Sequence, residues 1–553
     1  MANIGACASD SRAPSRADDA TAFTVFLLGT FLLWLTAPHN GEFWWSDSPR
    51  HALNGVFIKD LVVATPWRDP ASWAMQYYFQ YPALTILFYP PLFYVVSAPF
   101  YALFGVSHAT GLFVVFLHYF AAAFGLYRLA GRYTSAPVAI AIGLLLMAAP
   151  GLALWGRQVM LEIPSLALAI WAIVVLRDYG DNNRHSLLYL GAFLLLCAVY
   201  TKITAIFLAP AIGLMLLESR GRSLWRDRSI WVTAIFFVIG LIPLAVITLE
   251  FGQANVQSVV GIADSEASRA TLAGWTWYAR QLPSQLGWPL LATALLCPIL
   301  AAFGPQVRSL RRADVALLLA WFVVGYLFFS AIDLKEARHS TLILPPLLIA
   351  AGLTLEQLSK RWAAALAVIL VTATAFETWR TEPVPMVSGY REAAELVQHQ
   401  APPNSIILFS GKRDGSFVFN LRTLDPQRRL FTIRSDKLLL NVAVRRELGV
   451  NEKPFTEEEI SQMLDNYGIS YVVAQSDFWT DLPVMSRLQT VLRSDQFAEL
   501  ARIPVVSNVP TEDKEVRIYR NLHPIRAGRT LRLDLPMIGT SVEGITGAQP
   551  QDR

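Results

Sequence analysis

The stretch Trp44-Trp45-Ser46-Asp47-Ser48-Pro49-Arg50-His51 puts a carboxylate, a guanidinium and an imidazole within five positions, directly after a long apolar run. Ionisable groups at the margin of a bilayer are costly to keep there and tend to be functional. A carboxylate at such a place could take a proton from an attacking hydroxyl or hold a divalent cation. Cations beside it could hold a phosphate or pyrophosphate leaving group. The same residue types recur at the ends of later apolar runs. Arg157 and Glu162 form one group, Lys202 stands in Tyr200-Thr201-Lys202, and Asp264, Glu266, Arg269 and Arg280 form another. Asp333, Lys335, Glu336, Arg338 and His339 form the last.

Each of these residues also has a plain structural role open to it. Asp47 could cap the helix it opens, and Glu162 could do no more than favour a helix N-terminus. Lys335 and Arg338 could be interfacial anchors that snorkel, and His339 a neutral interfacial histidine. Lys202, set between two apolar runs with a one-turn break, fits a structural role least well.

Whichever role holds, the elements that position these groups must cross a membrane. Of 553 residues 54% are hydrophobic and 16% charged, against about 25% charged in soluble domains. Several runs approach the ~20 apolar residues a span needs. The net charge of +4 does not indicate nucleic acid, because the arginines cluster at the ends of apolar segments. Three cysteines, Cys7, Cys197 and Cys297, imply no disulfide framework. Arg12 and Arg16 precede the apolar run Thr21 to Ala37 with no small-residue cleavage site, which reads as a retained signal anchor after a tail of residues 1–20.

The arginines set the topology. If the run from Ala83 to Val106 does not span, fifteen basic residues fall on the cytoplasmic side, from Arg12/Arg16 through Arg128/Arg132, Arg177/Arg184, Arg220–Arg228 and Arg308–Arg312 to Lys360/Arg361. Pro90-Pro91 in the middle of that run supports this choice. The expectation is about eleven spans in residues 21–380, N-terminus cytoplasmic and C-terminus outside. The first outer loop, 38–108, is long. Leu53, Val56, Phe57 and Leu61 predict an interfacial amphipathic helix from Asp47 to Ala64. Trp67, Trp73, Tyr77, Tyr78 and Tyr81 read as an aromatic belt, with a sugar platform as the other reading.

After Trp379 charged residues return. Residues 381–526 read as a soluble α/β domain outside the membrane, with 527–553 a flexible tail. Ser388 could cap a helix through His399, Thr456-Glu457-Glu458-Glu459 is a capping box for a helix to Tyr467, and 405–410, 469–474 and 516–519 read as strands.

The order of these features resembles the GT-C glycosyltransferases that use polyprenyl-phosphate sugars, the protein O-mannosyltransferase and aminoarabinose (lipid A) transferase group. Their Asp-Glu-x-Arg-Tyr pattern stands here as Asp47-Ser48-Pro49-Arg50-His51, and their Pro-Pro-Leu-x-Tyr motif as Tyr89-Pro90-Pro91-Leu92-Phe93-Tyr94. Met160-Leu161-Glu162-Ile163-Pro164, Thr201-Lys202 and Arg338-His339 before Leu344-Pro345-Pro346 follow in the family's order. The resemblance implies a polytopic α-helical GT-C membrane protein in a bacterial cytoplasmic membrane. It implies inverting transfer of a sugar from a polyprenyl-phosphate donor to a lipid, glycan or protein acceptor on the outer face. Asp47 would be the base, Glu162 would place the acceptor, and Lys202, Arg338 and Arg50 would hold the leaving phosphate. His51, Tyr81, Tyr89, Arg157 and His339 would line the substrate. A divalent metal at Asp47 and Glu162 is open, and no other cofactor is implied. A lipid or solute transporter and a non-catalytic scaffold are the alternatives. The middles of the spans are nearly free of charge, which counts against the transporter.

Overall fold

The computed structural model of the chain describes residues 15–252, 256, 267–301, 310–381, 383–442, 446, 449–524, 530–535 and 540–545. Cys7, Arg12, Asp264, Glu266 and Arg308 lie outside the described residues, as do 527–529 and 546–553 of the expected tail.

The chain enters through α1 (Arg16–Leu35), which Ser15 opens with a reciprocal capping box to Asp18. The first loop then carries α2 (Asp47–Ala64), α3 (Pro70–Gln80) and α4 (Leu92–Phe104). The apolar bundle continues with α5 (His108–Ala130), α6 (Ala136–Ala148), α7 (Pro150–Gly156), α8 (Glu162–Asn182), α9 (His185–Thr201), α10 (Leu208–Arg220) and α11 (Arg228–Phe251). It closes with α12 (Leu272–Leu286), α13 (Trp288–Ala301), α14 (Arg312–Ser330), α15 (Pro345–Leu355) and α16 (Lys360–Thr381). Seven stretches are long and apolar enough to cross a membrane, or nine if each of two bent pairs is one span. The bends have a cause: Pro150 opens α7 after a 63° turn, and Pro345-Pro346 open α15 after a 52° turn, where a missing N–H is least costly. Three shorter apolar helices, α4, α9 and α13, fall below that length, so the described residues give seven to nine spans where about eleven are expected.

One end of the bundle is tied by ion pairs among the basic residues that the sequence assigns to a single face. Arg128 meets Asp19 at 3.0 Å, Arg132 pairs with Asp178 and Asp181, Arg311 meets Asp181 at 2.8 Å, and buried Arg177 pairs with Asp314. Glu162 and Arg177 lie fifteen residues apart on α8, about 22 Å at helical rise. The Glu162 end is therefore the opposite end.

Beyond α16 the chain forms an α/β domain. Its strands are β1 (Val387–Ser388), β2 (Ile406–Ser410), β3 (Phe431–Arg434), β4 (Leu440–Val442), β5 (Val450–Glu452), β6 (Ile469–Ala474), β7 (Phe497–Pro504), β8 (Val506–Ser507) and β9 (Glu515–Asn521). The main sheet runs β3-β2-β6-β9-β7, with β2 parallel to both β3 and β6 and with β9 antiparallel to its neighbours. Its helices are α17 (Tyr390–Gln400), α18 (Asp414–Leu424), α19 (Ser435–Leu439), α20 (Glu457–Asn466) and α21 (Pro483–Val491). The three expected strands are its β2, β6 and β9. The Thr456–Glu459 capping box opens α20 as read. Two expectations change. Ser388 belongs to β1, and α17 is opened by Gly389 at φ 108°, with Glu392 returning to the Gly389 N–H at 2.7 Å. The stretch expected to be a flexible tail carries a hairpin, β10 (Thr530–Leu535) with β11 (Thr540–Ile545). Leu531 and Leu533 are buried, and Gly544 lies against Phe79 of the first loop.

This domain sits on the first loop. Gly415 of α18 lets its backbone approach α2 so closely that a Cβ there would meet Pro49 at 3.0 Å. Arg422 holds Asp60 at 2.9 Å with both side chains buried, and Tyr77 donates to the same carboxylate at 2.8 Å. Gln80 donates to Arg428 and Leu430 carbonyls, and Asn420 to Gly41. Trp73, Tyr77 and Tyr81 stack in series beneath it at 5.2 and 5.0 Å between centroids. Of the expected aromatic belt, Trp67 is the exposed member.

Candidate active site

Asp47 is the first residue of α2, and the helix is preceded by Ser46 with no side-chain cap. Its carboxylate is thus not spent on capping. It accepts instead from Arg338 Nη1 at 2.8 Å, a contact between residues 291 positions apart. Arg338 reaches it from the 3-10 turn Ala337–Ile343. The guanidinium also donates from Nε to Glu336 at 2.5 Å and lies 6.0 Å from the ring centres of both Trp45 and Trp155. Two carboxylates and two indoles thus hold one cation nearly out of water.

Burial and the Asp47 charge hold the Tyr89 phenol well above its ordinary pKa. Burial would also raise the pKa of Asp47, but its neighbours, Arg338 foremost, hold it well below the carboxylate range. His51, one turn along α2, has Nδ1 2.9 Å from the Tyr94 hydroxyl and the Tyr89 ring at 4.8 Å. Burial pushes the imidazole down to about 4 against the pull of Asp47 and Glu162, so it is neutral at neutral pH.

Glu162 opens α8 and Lys202 closes α9. The helix ends there because Lys202 turns to extended backbone before the 3-10 turn Ile203–Phe207. Lys202 Nζ donates to Glu162 Oε1 at 2.8 Å. The other oxygen, Oε2, is buried with no hydrogen-bond partner among the described residues, an acceptor that costs free energy unless something donates to it. Arg338 senses both Asp47 and Glu162, and His51 senses Asp47, Glu162, Arg338 and Lys202, so the two ion pairs belong to one cluster. His339 borders it, 3.9 Å from Glu336.

Asp47, Glu162, Lys202, Arg338, His51, Tyr89 and His339 therefore come together. Three expected residues do not. Arg50 turns to the soluble domain, where Asp414 takes it through both oxygens at 2.7 and 2.9 Å. Tyr81 is 1% exposed, packed on Tyr77 with Arg422 5.9 Å above its ring, so it supports the docked domain and does not line a substrate. Arg157 is buried, donating to the Ala153 carbonyl at 2.9 Å and to Thr36 at 3.3 Å. Lys335 donates to the carbonyls of Phe329, Ser330 and Ile332, closing the C-terminus of α14. Trp45, Trp155 and Tyr94 were not expected at the site, and Glu336 only as one charge of the last group. The only signals were their nearness in sequence to Arg338, Asp47 and Arg157 and, for Tyr94, its place in the proline motif.

The donor set does not suit a resident divalent cation. Asp47 and Glu162 are each already matched by a cation, and no group of three or more His, Cys, Asp or Glu side chains converges among the described residues.

Residues 89–247 match the model of the dolichyl-phosphate-mannose-protein mannosyltransferase family. No curated protein matches at the sequence level. Among solved structures, the chain is similar to ArnT from Cupriavidus metallidurans bound to undecaprenyl phosphate, with a TM-score of 0.60 at 13% identity over 90% of this chain and 97% of that one. The apo form of the same protein gives 0.60 at 14%, covering 90% and 98%. An oligosaccharyltransferase from Archaeoglobus fulgidus gives 0.52 at 12%, covering 86% and 71%. The chain is thus a multi-span membrane protein with the GT-C fold, the fold of the polyprenyl-phosphate-sugar glycosyltransferases.

Proposed function

We propose that the chain is an inverting glycosyltransferase that moves a sugar from a polyprenyl-phosphate donor to a hydroxyl of a lipid, glycan or protein acceptor. The observation that carries this reading is the Asp47–Arg338 contact at 2.8 Å, beside a buried Glu162–Lys202 pair at the end of an apolar bundle. The matched mannosyltransferase family and the ArnT structure with undecaprenyl phosphate support the donor class.

In this reading the acceptor oxygen attacks the anomeric carbon, its proton passes to Asp47, and the bond from that carbon to the phosphate oxygen breaks. The lipid phosphate leaves with the bonding pair, and Arg338 and Lys202 face the negative charge it gains. In the resting cluster Arg338 holds the basicity of Asp47 down. A donor phosphate that engages Arg338 competes for the guanidinium and frees the carboxylate to act as a base. The unpartnered Oε2 of Glu162 would accept from a substrate hydroxyl. The Asp47 end and the soluble domain face the outside of a bacterial cytoplasmic membrane, and the Arg132–Arg177–Arg311 end faces the cytoplasm, as the arginine distribution favours.

Reconstituted protein given polyprenyl-phosphate sugars of several sugar types is expected to be thermally stabilised by its own donor, by about 2.7 kcal/mol at a hundredfold excess over Kd. A flat response across the panel would contradict the reading. A reporter fused after Arg132 should read cytoplasmic, and an external signal would overturn the orientation.

A further inference from the structure

The three parallel strands of the soluble domain end on one side. Beyond the carboxyl ends of β2, β3 and β6 lies a cavity of about 240 Å³ that reaches the first loop. Ligands of open α/β sheets collect at this edge. Five cationic side chains line the cavity, Arg50, Lys412, Arg434, Lys437 and Arg446. Among the described residues only two carboxylates do, and both are committed. Asp414 takes Arg50 at 2.7 Å and Arg434 at 2.8 Å, and Asp436 takes Arg434 at 2.6 Å. Of the other three cations, Lys412 pairs with Glu512 and Arg446 with Asp481 at 2.9 Å, both carboxylates outside the lining, which leaves Lys437 as the surplus charge.

Lys437 is the informative member. It is 6% exposed, and among the described residues its ammonium has no ion pair within 4 Å and one hydrogen bond, 3.4 Å to the Val442 carbonyl. Burial pushes its pKa down to about 8. A lysine kept dry with so little compensation is expensive unless an anion comes to it. Gln475 gives its Oε1 to the Lys412 N–H at 2.6 Å, and among the described residues its buried Nε2 donor has no partner. One wall is aromatic: Phe478 and Trp479 stack at 4.8 Å, and Trp479 is held at φ 51°, a strained conformation for a tryptophan.

We infer that this cavity binds the oxyanion of a phosphorylated or carboxylated sugar in the acceptor, with the anion on Lys437 and drawing Arg446 off Asp481, and with the sugar face on the Phe478–Trp479 wall. The identity of that sugar as the acceptor rests on the transferase reading; the anion site does not. The cavity has room for a single sugar with its charged group. It is also joined to the candidate active site, because Arg50 lies on α2 three residues after Asp47. Acceptor recognition would thus be read out on the helix that carries the proposed base.

The test is calorimetric titration of the full-length protein in detergent with glucose 1-phosphate, glucuronate, inorganic phosphate and glucose. The expected result is saturable binding of the two charged sugars, tighter than inorganic phosphate, weakened by salt, with no binding of glucose. Lys437→Met and Arg446→Gln, each checked for an unchanged thermal transition, are expected to weaken it about tenfold or more. Binding that survives both substitutions, or no anion binding at millimolar ligand, would overturn the site. Inorganic phosphate binding as tightly as the sugar phosphates would overturn the assignment to a sugar. Loss of transfer activity with anion binding intact would count against the transferase reading and leave the anion site standing.

Discussion

Replacing Lys202 with Met should destabilise the chain far more than its position at a helix break suggests. The pair it forms with Glu162 has an N–O separation of 2.8 Å and side chains only 14% and 3% exposed. Two unit charges near 4 Å at an effective dielectric of ~20 attract by about 4 kcal/mol, and a buried carboxylate stripped of its partner costs about 3–5 kcal/mol. Lys202→Met should fall in that range. Glu162→Gln leaves the more accessible ammonium behind and should cost less, about 1–3 kcal/mol. The double variant should cost clearly less than the sum, with a coupling of about 2 kcal/mol. Equilibrium unfolding in mixed micelles supplies all four corners of the cycle. Additivity within about 0.5 kcal/mol would show that the two groups are independent and refute the picture of a single buried pair.

Three further outcomes follow from particular contacts. The unfolded imidazole of His51 titrates near 6.5 and the folded one near 4, so on acidification the unfolded state takes the proton first. Stability should fall from pH ~6.5 to ~4 by about 3 kcal/mol, and His51→Gln should remove that slope; superimposable pH curves for parent and variant would refute it. Arg422→Met leaves Asp60 to Lys59, 2.6 Å away, and to Tyr77, so the contact between α18 and α2 should lose about 1–3 kcal/mol of docking. Limited proteolysis at the 383–386 connector should speed up, and an unchanged cleavage rate would mean that the ion pair does not hold the domain. Gly389→Ala forces a side chain to φ 108° with its Cβ 2.7 Å from the Pro504 carbonyl. A loss of about 1–3 kcal/mol is expected, and an unaltered melting curve would contradict it.

What the sequence reveals depends on how far each signal reaches along the chain. The helix from Asp47 was legible because Leu53, Val56 and Phe57 recur at helical spacing and are buried as that spacing requires. The capping box at Thr456 and the break at Lys202 were legible because capping and chain breaks are local. The break in 83–106 was legible from its adjacent prolines, and α4 starts at Leu92, directly after Pro90-Pro91. Partnerships between distant residues were not legible. Nothing near Arg50 announces Asp414, 364 positions on, and nothing near Tyr81 announces Arg422. The whole docking of the soluble domain on the first loop was hidden for that reason, and with it the roles of Arg50 and the buried aromatics. The hairpin 530–545 was hidden because Leu531 and Leu533 are too few for a strand signal until the first loop supplies Phe79 to cover it.

The central claim is that Asp47 is the base of a polyprenyl-phosphate-dependent transfer. Its most direct test is the rate of lipid phosphate release and sugar transfer by Asp47→Asn beside the parent protein, with donor binding followed in the same samples. The expected result is a fall of about 10²–10⁴ in turnover with the stabilisation by donor retained. Turnover within a few-fold of the parent would contradict the role of Asp47 outright.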